Sequence, residues 1–201
     1  MRRLEGLRMR VVVGIDLRAV EHDWLVERSA LYAKRLGVRL DFVYCAGGAE
    51  TPEMRSRLEG LLARIPEEYR GRALVLPEGP ADGLVALSKE VDMLVVGSRE
   101  PLAIDRLLRG PMASRVLKHA HCPVLVPRGE RAPSVNPRLL VGVDVEGPAP
   151  TAVLKWADRW AEHLNGTVHI LYAAQTHRGD FAQTKDAIQA QLEAMLAAHV
   201  G

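Results

Sequence analysis

The chain has 201 residues, a formal net charge of +2 and an apolar content of 48% with only 4% aromatic residues. That composition excludes wholesale disorder, and the near-neutral charge leaves no broad electrostatic footprint for nucleic acid or an anionic membrane. The length predicts one domain plus a further part, with a core of Val, Leu, Ile and Ala.

No apolar run approaches the ~18–20 residues of a membrane span, and no apolar segment of a secretory leader follows the basic start Met1-Arg-Arg. Cys45 and Cys122 are the only cysteines, too few for a disulfide framework. A cytoplasmic address follows as the expectation.

Taken in chain order, Met9 to Asp16 reads as a short β-branched strand ending in an acid, apolar on both faces as the buried strands of parallel sheets are. Apolar spacing predicts a helix over 22–36 that ends at Gly37. A strand over 38–45, a helix over 52–65, a strand over 72–76 and a helix over 81–91 follow, the last weakened by Gly83. Asp92 to Gly97 is the clearest buried strand, and Gly110 to Ala120 a helix. The strand Cys122 to Pro127 closes the series, bracketed by prolines. Strict alternation implies right-handed crossovers and a doubly wound parallel sheet of the α/β class, occupying residues 1–128.

Residues 129–137 carry charges and prolines without periodicity and read as a linker. Beyond them the opening of the chain returns, because Arg10-Val-Val-Val-Gly-Ile-Asp16 becomes Arg138-Leu-Leu-Val-Gly-Val-Asp144 at an offset of 128. Only 7 of 36 aligned positions from Arg10 to Cys45 are identical, but the hydrophobic pattern and both strand-ending acids stay in register. Residues 138–201 therefore read as a shortened second repeat of the form β-α-β-α. Some 65 residues bury too little surface to cover a parallel sheet, so this part is expected to dock on the first domain or on another subunit. The alternative is a vestige. Trp156 and Trp160, spaced i and i+4 on the repeat's first helix, read as packing residues.

The stretch from Gly97 to Ser114 leaves the carboxyl end of a buried strand and enters a helix, which is where ligands bind in open α/β sheets. A helix N-terminus supplies free N–H groups and the positive end of a dipole. Arg99, Arg106, Arg109 and Arg115 place positive charge nearby, or simply solvate the surface.

Three further readings are weaker. His119-x-His121-Cys122 has soft-metal ligand types, but a polar group at a helix end is an ordinary cap, and no metal is expected. Ser114 with His119 lacks a strained nucleophile turn and an orienting acid. Cys45 and Cys122 bound strands that are not neighbours, and read as small apolar fillers rather than a bridge.

With those residues in view, the sequence resembles the universal stress protein family. The resemblance rests on Val95-Val-Gly-Ser-Arg99, then Arg106-Leu-Leu-Arg-Gly110, then His119-Ala-His-Cys-Pro-Val-Leu-Val126. It covers residues 9–127 as a full domain and 138–200 as the front of a second. It implies a five-stranded parallel sheet of order 3-2-1-4-5, of the adenine nucleotide alpha-hydrolase-like kind, and a pocket for ATP with Mg. By the same resemblance Asp16 meets the adenosine part, and Gly14 and Cys45 lie where adenine is contacted. Gly97, Ser98, Arg99, Arg109, Gly110, Met112 and Ala113 belong to the phosphate loop and the helix start.

Two departures stand out. Glu100 occupies the place of the second loop glycine, and Pro111 the place of a Ser or Thr. Two readings stay open: a non-catalytic regulatory or scaffold protein of the stress response with an eroded pocket, or an ATP-binding switch, with or without slow hydrolysis. The resemblance also implies a homodimer paired through the strand at 122–127, with Cys122, Val124 and Val126 on the shared edge.

Overall fold

The computed structural model describes residues 9–19, 23–97, 111–127, 136–143 and 150–171, with residues 187, 189–190 and 193–194. The chain divides into two compact units, Met1–Ala132 and Pro133–Gly201.

In the first unit the strands are β1 (Val11–Gly14), β2 (Leu40–Cys45), β3 (Arg70–Leu76), β4 (Met93–Val96) and β5 (Val124–Leu125). The helices are α1 (Asp23–Leu36), α2 (Pro52–Leu62), α3 (Pro80–Leu87) and α4 (Pro111–His119). All ladders are parallel, in the order β3-β2-β1-β4-β5. This is the expected doubly wound sheet. Every residue of β2 and β4 is buried, as strands covered on both faces must be. Val12, Val43, Leu94 and Val96 share one face, packed with Leu84 and Leu87 of α3 and Val116 of α4.

Local chemistry sets the element boundaries. Gly37 takes φ +62°, and the Val38 N–H reaches back to the Ala33 carbonyl at 3.1 Å. That is a Schellman closure, which a left-handed residue permits. Thr51 caps α2 by accepting the Met54 N–H at 3.3 Å. The helix ends at Leu62 rather than Ile65, because Arg70 takes the carbonyls of Ala63 at 2.7 Å and Ile65 at 2.9 Å. α3 ends at Leu87, short of the expected Val91. There Ser88 Oγ donates to the Val85 carbonyl at 2.7 Å and accepts the His121 N–H at 2.9 Å. β5 is shorter than its sequence pattern because Pro123 and Pro127 flank it.

The start of β3 differs most from expectation. Leu40 pairs with Arg70 but Phe42 pairs with Ala73, so Gly71 and Arg72 stand opposite the single residue Asp41. This is a β-bulge. Asp41 fills it: Oδ1 accepts the Arg72 N–H at 2.8 Å, and Oδ2 meets Arg10 Nε at 3.3 Å and Arg72 Nη2 at 3.2 Å.

The second unit contains β6 (Arg138–Gly142), α5 (Pro150–Leu164) and β7 (Thr167–Leu171), with β6 and β7 parallel. Asn165 at φ 51° ends α5, and the Gly166 N–H closes on the Ala161 carbonyl at 2.7 Å. Asn165, the acceptor Ala161 and the closing donor Gly166 lie 128 residues after Gly37, Ala33 and Val38 respectively. The Trp156 and Trp160 rings sit 5.7 Å apart on α5, tilted by 40°. One face of this ladder is open, with Leu140 71% and Leu171 52% exposed. Among the described residues no helix is long and apolar enough to cross a membrane.

Candidate functional site

The strand order reverses direction between β1 and β4, so the crevice of an open sheet lies beyond their carboxyl ends. Gly14 stands opposite Val43 of β2 and Val96 of β4, and the Ile15 N–H extends the ladder to the Val43 carbonyl at 2.8 Å. Two residues on, Asp16 is level with Cys45, and Gly97 follows Val96 on the other side of the reversal. The register thus brings Gly14, Asp16, Cys45 and Gly97 to one end of three neighbouring strands.

Asp16 sits in a closed turn. Its Oδ1 accepts the Arg18 N–H at 3.0 Å, and its carbonyl accepts the Ala19 N–H at 2.9 Å. Side-chain alternation puts Val12, Gly14 and Asp16 on the face that carries α3. A Cβ added at Gly14 would meet Leu84 Cδ2 at 3.5 Å, an ordinary contact. Packing therefore does not demand a glycine there, although glycine weakens a strand interior. Gly97 has a reason of its own, since a Cβ would approach Leu25 Cδ2 of α1 to 2.8 Å.

Cys45 is buried, and a Cβ on Gly83 of α3 would come within 2.7 Å of its sulfur. Burial first, and Glu78 second, push the thiol up to about 11, so it stays protonated and unreactive near neutrality. Gly83 therefore gives α3 its close approach to β2, whereas composition alone marks it as a weak point in a helix. We expect Gly83→Ala to destabilise the unit by about 1–2 kcal/mol, the overpacking outweighing the gain in helix propensity. Adding Cys45→Ala removes the obstructing sulfur, so the double variant in urea unfolding will be more stable than the summed single effects require. Additive single effects would refute the contact.

Ser98, Arg99, Glu100, Arg106, Arg109 and Gly110 lie outside the described residues. Pro111 is the first residue of α4, so that helix start has one N–H fewer to offer. Met112 is exposed. Arg115 turns to α3, its Nη2 2.5 Å from Asp82 Oδ1 in a solvent-exposed pair. His119 and His121 are exposed, Cys122 is half-buried, and both thiols are free. Burial, as the largest cause, raises the Cys122 thiol as well. Sequence reasoning missed Asp41, whose signal was a charge inside an apolar strand, and Arg57, taken up below.

The family model described as the universal stress protein family matches residues 59–128. A universal stress protein of Methanocaldococcus jannaschii is 45% identical over 49 residues, which is 23% of this chain and 29% of that protein's length. Among solved structures, a Pseudomonas aeruginosa UCBPP-PA14 protein named for the same family is 17% identical. It covers 98% of this chain and 71% of its own, with a TM-score of 0.66, a likeness of fold alone. The structure of the universal stress protein from Archaeoglobus fulgidus in complex with dAMP is 22% identical, covering 59% of this chain and 96% of that one, at a TM-score of 0.46. The family match runs from within α2 to just past β5. The chain is thus similar to the universal stress protein family over the back half of its first unit.

Proposed function

We propose that the protein is a non-catalytic regulatory member of the universal stress protein family whose crevice keeps the adenosine half of a nucleotide site and has lost its hold on the phosphates. The observation that carries this reading is the register that gathers Gly14, Asp16, Cys45 and Gly97 at the strand reversal. A carboxylate at position 16, just past the end of β1, suits hydroxyl or amino hydrogens of a nucleoside. For the phosphates, Pro111 starts α4 without an N–H, and the sequence carries Glu100 where the resemblance expects a glycine. The test is calorimetric titration of the unmodified protein with adenosine, AMP and ATP with Mg. Comparable affinities for all three are expected. ATP binding a hundredfold tighter than adenosine would overturn the reading in favour of an ATP switch.

The protein is further proposed to self-associate through β5, and the repeat at 138–201 to be a second, shortened copy of the first unit, supported by the two Schellman closures 128 residues apart. The Pro123 carbonyl faces β4, accepting the Leu94 N–H at 3.0 Å. By alternation the N–H and C=O groups of Val124 and Val126 point outward, and an exposed edge of that kind pairs with another strand. Val126→Pro removes one outward donor without touching the β4 ladder. Light scattering at high micromolar concentration should show a dimer for the unmodified protein and a monomer for the variant. A monomer in both would end the proposal.

A further inference from the structure

The turn that carries Asp16 is held from α2, a helix that enters the chain well after it. Asp16 Oδ1 and its carbonyl close residues 16–19 through the N–H groups of Arg18 and Ala19, an Asx turn nested on a backbone turn. Between them lies the Leu17 carbonyl, and Arg57 Nη2 donates to it at 2.8 Å across 40 residues of sequence. Leu17 itself is buried, which fixes the other side of the same residue. A guanidinium bonded to a carbonyl in a partly buried place is stronger than a neutral hydrogen bond. The neighbouring arginines of the same helix region are engaged elsewhere: Arg55 with Glu50 and the Ala73 carbonyl, Arg64 with Asp23.

We propose that Arg57 is a positioning residue for the crevice acid. Its guanidinium pins the residue that follows Asp16, and so sets the direction from which the Asp16 carboxylate meets a nucleoside. This rests on the reading of the crevice as an adenosine site. A peptide plane is rigid, so fixing the Leu17 carbonyl constrains the ψ of that residue and the geometry of the Asx turn beside it. Two anchors, a buried side chain and a charged donor, hold a segment that would otherwise be an ordinary surface connection.

The test compares Arg57→Met, which keeps the apolar stem, with Arg57→Lys and with Arg55→Ala as a control on the same helix. Amide hydrogen exchange at Arg18 and Ala19 reports on the turn, calorimetry with AMP reports on the site, and the melting temperature reports on the whole unit. Arg57→Met should speed exchange at both amides about tenfold and weaken AMP binding about tenfold. Arg57→Lys should restore most of both, and Arg55→Ala should change neither. In an Asp16→Asn background Arg57→Met should weaken AMP no further, a coupling that general destabilisation would not produce.

Unchanged exchange in Arg57→Met overturns the proposal outright. Faster exchange with unchanged AMP affinity leaves Arg57 an anchor of the turn and overturns its role at the site. Absence of AMP binding by the unmodified protein defeats the adenosine reading and the positioning role with it, while the exchange data still show whether Arg57 holds the turn.

Discussion

Gly71→Ala is expected to destabilise the first unit by about 3 kcal/mol, the upper part of the range for overpacking. A Cβ at this position would lie 2.6 Å from the Leu40 carbonyl oxygen and 2.9 Å from its carbon, with Asp41 Oδ1 also in its way. Those obstacles are backbone and an acid already holding three hydrogen bonds, and neither can swing aside. β3 would have to leave β2 over the bulge, giving up the Asp41 bond to the Arg72 N–H. With total stabilities of about 5–15 kcal/mol for ordinary domains, such a loss takes a large share of the whole.

Urea unfolding followed by circular dichroism should show the midpoint falling without a change in slope. Gly60→Ala is the matched control. Nothing lies within 4 Å of a Cβ there, and the site is exposed on α2, so the substitution should stabilise by about 0.5–1 kcal/mol through helix propensity. A Gly71→Ala loss below about 1 kcal/mol would show that the bulge opens freely.

The same bulge marks the limit of what the residues disclose in one dimension. The five strands were legible because β-branched runs such as Val11-Val-Val13 and Leu94-Val-Val96 are apolar at every position, and a parallel sheet needs that. The turn glycine at 37 was legible because helix periodicity stops there, and the backbone does take a positive φ. Asp41 was not, since a lone acid among Leu40, Phe42 and Val43 has meaning only once Arg10 and Arg72 arrive from other strands.

Gly83 looked like a defect in a helix for the same reason, its partner Cys45 being remote in sequence. At the site, strand ends could be read and placed at one level. The hold of Arg57 on the Leu17 carbonyl could not, because a side chain that bonds a backbone atom leaves no mark of its partner's identity. The second unit shows the opposite case. The echo of Gly14 and Asp16 at Gly142 and Asp144 was readable in the sequence, whereas the open face formed by Leu140 and Leu171 required coordinates.

On the proposed reading of the crevice as an eroded nucleotide site, Glu100→Gly with Pro111→Ser is expected to raise affinity for ATP about a hundredfold while leaving adenosine binding unchanged. Glycine at position 100 lets the backbone approach a phosphate and removes a like charge. Such a charge opposes the ligand by ~4 kcal/mol at ~4 Å and an effective dielectric near 20, before solvent reduces it. Serine at 111 returns an N–H and a hydroxyl to the start of α4, and a hydrogen bond to a charged group contributes roughly 1.5–3 kcal/mol. Even the upper bond value alone is about two decades of affinity.

Pro at the first helical position is also favourable for α4 itself, so the double variant should melt slightly below the unmodified protein. A gain in ATP affinity with a loss in stability is therefore the expected pair. Titration with adenosine separates the two halves of the crevice, because neither substitution lies on β1 or β2. Equal gains for adenosine and ATP would mean that the substitutions reshape the whole crevice. No gain for either would mean that the phosphate grip is lost for reasons beyond these two side chains.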